Sequence, residues 1–332
     1  MKRFILIGII IFLFILSGCN KQNEKSILKD LTKKVENNKG YYLKGEMEII
    51  NNEDVYKYNV EVSYQEPDFF RVSLINTINE HEQIILKNQE GVYVLTPSLN
   101  KSFKFQSEWP YNNSQVYLLQ TLLKDLKKDD KKSFEETENY YVFTTKVNYP
   151  NNRKLVKQNI YLNKDLDFKQ IDVLDENNNP LIKMTFSKVD MKADFKKNYF
   201  AVNENMKTAV VYEDVKQVFK IDNVIYPMYI PDNTHLSSQD FLERENGERV
   251  MLTFEGEKPF TLIEETFNPL EEFTIIPTYG DPILLIDTIG YVGENEVSWI
   301  SSGMEYYLAS EVMKKSELVE VARSMNTVPV LK

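Results

Sequence analysis

The sequence predicts a mainly β fold with a few helices: an α+β chain in which a long meandering antiparallel sheet precedes a smaller α+β region. Three observations carry this. Residues 55–65 alternate with period two, placing Tyr56, Tyr58, Val60, Val62 and Tyr64 on one face and Lys57, Asn59, Glu61, Ser63 and Gln65 on the other. Similar stretches recur about every 8–15 residues, separated by turn signals such as Glu66-Pro67-Asp68 and Asn177-Asn178-Asn179-Pro180. Helical periodicity is confined to a few short segments.

In chain order, Lys2 and Arg3 precede an apolar run, Phe4 to Leu16. At 13 residues the run is too short for a hydrocarbon core that needs about 20 residues as a helix, and it fits the apolar region of a secretory signal. It ends Leu16-Ser17-Gly18-Cys19, and the chain then turns polar at once. This resembles the bacterial lipobox. The resemblance implies that residues 1–18 are a lipoprotein signal peptide, that Cys19 is acylated on sulfur, and that residues 19–25 form a lipidated tether. Two or three acyl chains anchor firmly because each buried CH₂ contributes about 0.8 kcal/mol. The same residues also fit a plain signal peptide, or an uncleaved anchor, with a chance cysteine.

A first helix is expected from Ser26, a candidate N-cap, to about Asn38, with Ile27, Leu28, Leu31 and Val35 on one stripe and Gly40 ending it. Strands are expected at 41–50, 55–65, 69–78, 82–88, 91–96, 101–106, 140–148, 155–163, 168–174 and 181–189. A helix at about 114–128 interrupts them, with Val116, Leu119, Leu122, Leu123 and Leu126 as its apolar stripe; Lys124 to Lys132 is its charged end and loop. The sheet pattern lapses at 192–215, which sets the domains at 26–200 and 201–332. The second is expected to hold a helix or strand at 208–219, strands at 249–254, 259–267, 283–292, 296–301 and 304–310, and a loop or hairpin at 268–282. Its final helix, from Ser316, has the stripe Leu318, Val319, Ala322 and Met325.

Composition excludes several function classes. The 332 residues carry a formal charge of −10, falling to −12 if Lys2 and Arg3 are removed. That balance disfavours nucleic-acid binding and a charge grip on anionic lipid. One cysteine and two histidines can build neither an internal disulfide nor a Cys/His zinc site. No nucleophile elbow, metalloprotease helix, P-loop or dinucleotide glycine pattern occurs. His81, at a strand start, and His235, in a turn, are read as exposed polar residues. The adjacent acids Glu135-Glu136, Glu264-Glu265 and Glu271-Glu272 are read as solvated, and lysines interleave Asp125, Asp129 and Asp130, which argues against a calcium site. Asn112-Asn113-Ser114 matches the N-glycosylation pattern, which the bacterial lipobox discounts. No catalytic residue, metal or cofactor is assigned. A hydrolase hidden in this sequence would need a buried carboxylate or histidine in a cleft. The aromatic content, 12%, either fills the core or lines a cavity in a curved sheet.

Residues 40–190 resemble the LolA/LolB/RseB superfamily of lipoprotein-sorting proteins, and most closely its spore-former members, including the germination lipoproteins of clostridia. The resemblance lies in Tyr64-x-x-Pro67-Asp68-Phe69-Phe70-Arg71-Val72, in the run Gly91 to Gln106 and in Trp109-Pro110. More loosely, Pro227-x-Tyr229-x-Pro231, Gly290-Tyr291, Val297-Ser298-Trp299, Gly303-x-x-Tyr306 and Glu317-Leu318-x-x-x-Ala322-x-Ser324 resemble a C-terminal domain of Gram-positive envelope proteins. The resemblance implies a half-open antiparallel β-barrel whose mouth is plugged by the 114–128 and N-terminal helices. It implies a non-catalytic, extracytoplasmic protein, lipid-anchored to a bacterial membrane and acting in sporulation or germination through an envelope partner such as a peptidoglycan amidase. The candidate contact surface is Lys101, Phe103, Lys104, Phe105, Trp109 and Pro110; a buried strand and corner fits those residues equally well. The alternative function is a lipid- or lipoprotein-binding module holding an acyl chain, with Tyr56, Tyr58, Val60, Val62, Tyr64 and Phe143 as candidate cavity lining.

Overall fold

The computed structural model describes residues 23–51, 54–207, 220–244, 247–266 and 273–325. Cys19, the signal segment before it, the expected element at 208–219 and the acids Glu271-Glu272 lie outside the described residues. The chain divides into two units, up to Asn37 and from Asn38 onward. The first holds α1 (Glu24–Glu36). Its cap is Asn23, not Ser26: the Asn23 side chain accepts the Ser26 amide at 2.9 Å, so the helix begins one turn earlier than the apolar stripe suggests.

The second unit is mainly β, as the alternation requires. Its strands are β1 (Gly40–Asn51), β2 (Asp54–Gln65), β3 (Phe69–Asn76), β4 (Glu82–Asn88), β5 (Gly91–Thr96), β6 (Lys101–Phe105), β7 (Ser133–Glu136), β8 (Tyr140–Lys146), β9 (Lys157–Asn163), β10 (Phe168–Leu174), β11 (Pro180–Asp190), β12 (Thr234–Arg244), β13 (Gly247–Gly256), β14 (Phe260–Thr266), β15 (Thr274–Thr278), β16 (Asp281–Leu284), β17 (Ile289–Val292), β18 (Glu296–Ser301) and β19 (Met304–Ala309). Its helices are α2 (Leu119–Lys128), α3 (Val202–Met206) and α4 (Lys315–Arg323).

These strands make two sheets. The first has twelve strands in the order β15-β6-β5-β4-β3-β2-β1-β11-β10-β9-β8-β7, and the second seven in the order β12-β13-β14-β19-β18-β17-β16. The first sheet is open: its end strands β15 and β7 do not pair with each other. Each described ladder is antiparallel except β15 on β6, which is parallel and sets Thr274 opposite Lys101 and Ile276 opposite Phe103. The segment 268–282, expected as a loop or hairpin, thus supplies an edge strand to a sheet whose other members end at Asp190.

The inward residues of β2 are buried as the pattern predicts, and α2 lays Leu119, Leu122, Leu123 and Leu126 into the interior. α2 starts at Leu119 rather than Ser114. The Ser114 hydroxyl is used 11 residues along, donating to the Asp125 carboxylate at 2.7 Å, so 114–118 stays in turns. One face of the first sheet was expected to be polar. Around β3–β5 it is covered by residues 195–206: Phe200 and Val202 pack on Ile84, Leu86, Tyr93 and Leu95. This explains the buried Arg71, whose Nε donates to Asn205 Oδ1 at 2.6 Å and whose guanidinium lies 5.9 Å over the Tyr199 ring.

The second sheet closes on α4. Leu318, Val319 and Ala322 are buried with Val250, Leu252, Phe254, Leu262 and Trp299, joined by Met325 just beyond the helix. The Phe254 and Phe260 rings stack at 4.2 Å, and those of Trp299 and Tyr306 at 5.0 Å. The expected strand at 283–292 is two, β16 and β17, because Leu285 N donates to Thr288 O at 2.9 Å and turns the chain back. His235 lies in the exposed edge strand β12, not in a turn. His81 is half-buried, with Nδ1 3.2 Å from Ser98 Oγ, and burial lowers its pKa.

Candidate functional site

The two sheets of the second unit meet along a seam made by side chains reaching from one into the other. Gln83 of β4 is the central one. Its Oε1 accepts the Ile289 amide at 2.6 Å and the Thr288 hydroxyl at 3.0 Å, and its Nε2 donates to Ile289 O at 3.1 Å. Tyr58 donates to Ile286 O at 2.9 Å. Asp281 accepts from Ser107 Oγ at 2.5 Å and from Asn112 Nδ2 at 2.7 Å.

The candidate contact residues fall largely within this seam. Lys101 is buried and forms a 2.9 Å ion pair with Glu305 of β19. Phe105 meets Tyr291 edge-on at 6.5 Å, and Phe103 is half-buried. Trp109 and Pro110 are buried, with Trp109 edge-on to Phe70 at 6.0 Å. Lys104 alone of the six is exposed. The candidate cavity residues Tyr56, Tyr58, Val60, Val62, Tyr64 and Phe143 are all buried. Tyr64 packs on Tyr41 and Phe70, and Phe143 on Phe134 at 4.9 Å. None of the six lines the clefts described next.

One concave feature of the seam is a cleft of about 330 Å³ whose apolar wall includes Leu155, Ile182, Met228, Tyr229 and Ile286. A smaller cavity of about 60 Å³, lined by Trp109, Tyr117, Tyr149 and Leu284 among others, shares Asn151, Asn152 and Arg323 with it. Arg323 comes from the last turn of α4. Its Nη2 donates to Leu284 O at 2.6 Å, whereas its Nε is enclosed and has no acceptor. Burial lowers its pKa to about 10, so it stays cationic at neutral pH. The titratable groups that act on it are the Tyr149 and Tyr58 phenols, the larger cleft also holds Arg153, Lys154, Glu317 and Glu320, and among the described residues no carboxylate pairs with Arg323.

Among the described residues two carboxylates are buried with raised pKa values, Asp125 at about 6 and Glu264 at about 7, both through desolvation. Neither lines these clefts. Asp125 accepts from Ser114 and Gln158 and so holds α2 to β9; Glu264 accepts the Ile225 amide on both oxygens at 3.1 Å. Glu264 therefore faces the interior, unlike its neighbour Glu265, which pairs with Arg249 at 2.5 Å. Among the described residues no cluster of acids, histidines or cysteines could hold a metal ion, and no helix is long and apolar enough to cross a membrane.

Sequence reasoning did not single out Arg323, Gln83 or Asn151-Asn152. A signal was present for the first. The Pro227–Pro231 and Glu317–Ser324 motif pieces converge on the cleft through Met228, Tyr229, Glu317 and Ser324, with Arg323 at an unassigned position between Ala322 and Ser324.

No protein-family model matches the sequence. The solved structures similar to this chain are distant. They include a chain of the Pseudomonas aeruginosa MucA/MucB complex, with 12% identity, 90% of this chain and 97% of that chain covered, and a TM-score of 0.34. A chain of the Clostridioides difficile complex of the CwlD amidase with the GerS lipoprotein has 16% identity, 53% and 97% coverage, and a TM-score of 0.29. A LolA superfamily protein of Nitrosomonas europaea has 10% identity, 55% and 100% coverage, and a TM-score of 0.31. The sequence relation is much closer. The sporulation protein YdcC of Bacillus subtilis strain 168 is 36% identical over 330 residues, covering 98% of this chain and 97% of YdcC. Near-full-length identity at that level spans both sheets and the seam between them, and the chain belongs to the family of the sporulation protein YdcC.

Proposed function

We propose that this chain is a lipid-anchored, non-catalytic envelope protein that acts in sporulation by contacting another envelope protein. The observation that carries the reading is the relation to YdcC over almost the whole chain. The anchor rests on Leu16-Ser17-Gly18-Cys19, and the extracytoplasmic location on the apolar run before it. A role through contacts fits the placement of the buried acids, which are committed to internal hydrogen bonds rather than to a cleft. The resemblance of the 64–110 stretch to germination lipoproteins makes a peptidoglycan amidase the first partner to test.

Cys19→Ser tests the anchor. The variant is expected to move from the membrane fraction to the soluble fraction of sporulating cells and to lose metabolic labelling by palmitate, with its melting temperature unchanged. A Cys19→Ser protein that stays with the membrane would overturn the anchor. Loss of the gene is expected to lower the yield of heat-resistant spores, with restoration by the parent chain. A normal yield without the gene would overturn the sporulation role. Cross-linking of the parent chain in sporulating cells is expected to trap a cell-wall amidase, and recovery of no envelope protein would count against the contact reading.

A further inference from the structure

The cleft at the seam has a chemistry of its own. A half-buried guanidinium without a counter-ion is costly unless something supplies negative charge. Arg323 has one neutral acceptor, the Leu284 carbonyl, and an enclosed Nε that donates to nothing. Among the described residues it is the only charged one lining the smaller cavity. Around it stand neutral polar groups, the Asn113, Gln115, Asn151 and Asn152 side chains. The larger cleft contains the same arginine, and its lining includes the apolar Met228, Tyr229, Leu155 and Ile182.

We propose that Arg323 anchors a carboxylate subsite, in which the acidic chain end of an apolar peptide enters the 330 Å³ cleft and places its carboxylate on the terminal nitrogens of the guanidinium. This deepens the protein-contact reading by giving the chemistry of the partner's end, and it rests on that reading for the peptide alone.

A planar two-oxygen acceptor matches the planar fork of a guanidinium. A phosphate matches less well: one guanidinium offsets a single negative charge, and the larger cleft carries Glu317 and Glu320 beside Arg153 and Lys154. Glu317 pairs with Lys258 at 2.6 Å and Glu320 with Lys154 at 3.7 Å, and Arg153 stands in the same lining, so the approach favours an anion. The cleft volume suits a few residues rather than a long chain. Asn151 and Asn152, common to both cavities, offer side-chain amides to a peptide backbone.

The full chain, held in lipid nanodiscs, is titrated with N-acetyl-Leu-Leu bearing a free carboxylate, with its C-terminal amide and with inorganic phosphate. Binding is followed by calorimetry and by tryptophan emission. Of the two tryptophans, Trp109 lines the Arg323 cavity and Trp299 does not. The acid is expected to bind saturably and to shift the emission, with the amide and phosphate at least about tenfold weaker. Arg323→Gln is expected to weaken the acid by at least about tenfold and leave the amide unchanged. Arg323→Lys keeps the charge without the planar fork, and its preference for acid over amide is expected to shrink; this variant carries the test if Arg323→Gln does not fold. Equal binding of acid and amide, a variant that binds like the parent, phosphate as tight as the acid, or no binding at all would each overturn the proposal. None of these outcomes bears on the Cys19 or spore-yield tests.

Discussion

Gln83→Leu is expected to destabilise the second unit by about 2–4 kcal/mol, read as a lower urea midpoint with an unchanged slope. The substitution keeps the volume close to that of glutamine, so the loss is almost wholly one of hydrogen bonds. In the parent chain the buried amide is satisfied on both ends by the main chain of Ile289, and it also receives the Thr288 hydroxyl. Leucine offers nothing to the Ile289 amide or carbonyl, and each buried group left without a partner costs about 1–3 kcal/mol. Thr288 suffers less, since its hydroxyl is also placed 2.8 Å from Ile300 O. The effect should spread beyond β4. Ile289 begins β17, and slower proteolysis or exchange in β16–β17 than in β4 would contradict a shared seam. A loss below about 1 kcal/mol would mean that water takes over the role of the amide.

Glu264→Gln is expected to act in the opposite direction, raising stability at pH 7.5 by about 2 kcal/mol and flattening its dependence on pH. Burial lifts the Glu264 carboxyl from 4.5 to about 7, against the smaller lowering effect of the Ile225 amide. Between those values the folded chain holds a proton that the unfolded chain has released. Stability therefore falls as pH rises from 4.5 through 7, and the full benefit of the protonated form is present below 4.5. Asp125 adds to the same trend between 3.8 and about 6. Glu317, whose carboxyl is held low by Lys258 and the Lys314 amide, works the other way and is lost only in stronger acid. The parent melting temperature should thus fall from pH 4.5 to 7.5. Glutamine can still accept the Ile225 amide through Oε1, so the tether of residue 225 survives. A variant no more stable than the parent at pH 7.5, or a parent curve rising from pH 5 to 7.5, would refute the argument.

Most of the strands were legible because one face of each is buried, and burial imposes period two. The ten strands expected between 41 and 189 match β1–β6 and β8–β11 to within a few residues. The elements that escaped lack that imprint. β12 is an exposed edge strand, so neither face needs a pattern; β15 carries Pro277 and reads as a turn. β7 spans only Ser133–Glu136. The seam was illegible for a related reason. Its contacts join residues about 170–230 positions apart, such as Ser107 with Asp281 and Tyr58 with Ile286, and no local period records such a pairing. Glu264 shows the limit of reading charge from sequence: beside Glu265 it looks solvated, yet the pleat turns it inward.

The parallel pairing of β15 with β6 has a consequence in time. On a ribosome, β6 is complete some 170 residues before Thr274 is made, so one rim of the first sheet must wait with its amides and carbonyls unmatched. Until then any other extended chain can compete for that rim, and the delay is set by elongation rather than by diffusion. Truncation between Asp190 and Thr274 should therefore yield protein that aggregates through β6 although ten of its neighbouring strands are whole. The second half of the chain acts, in this sense, as the folding guard of the first.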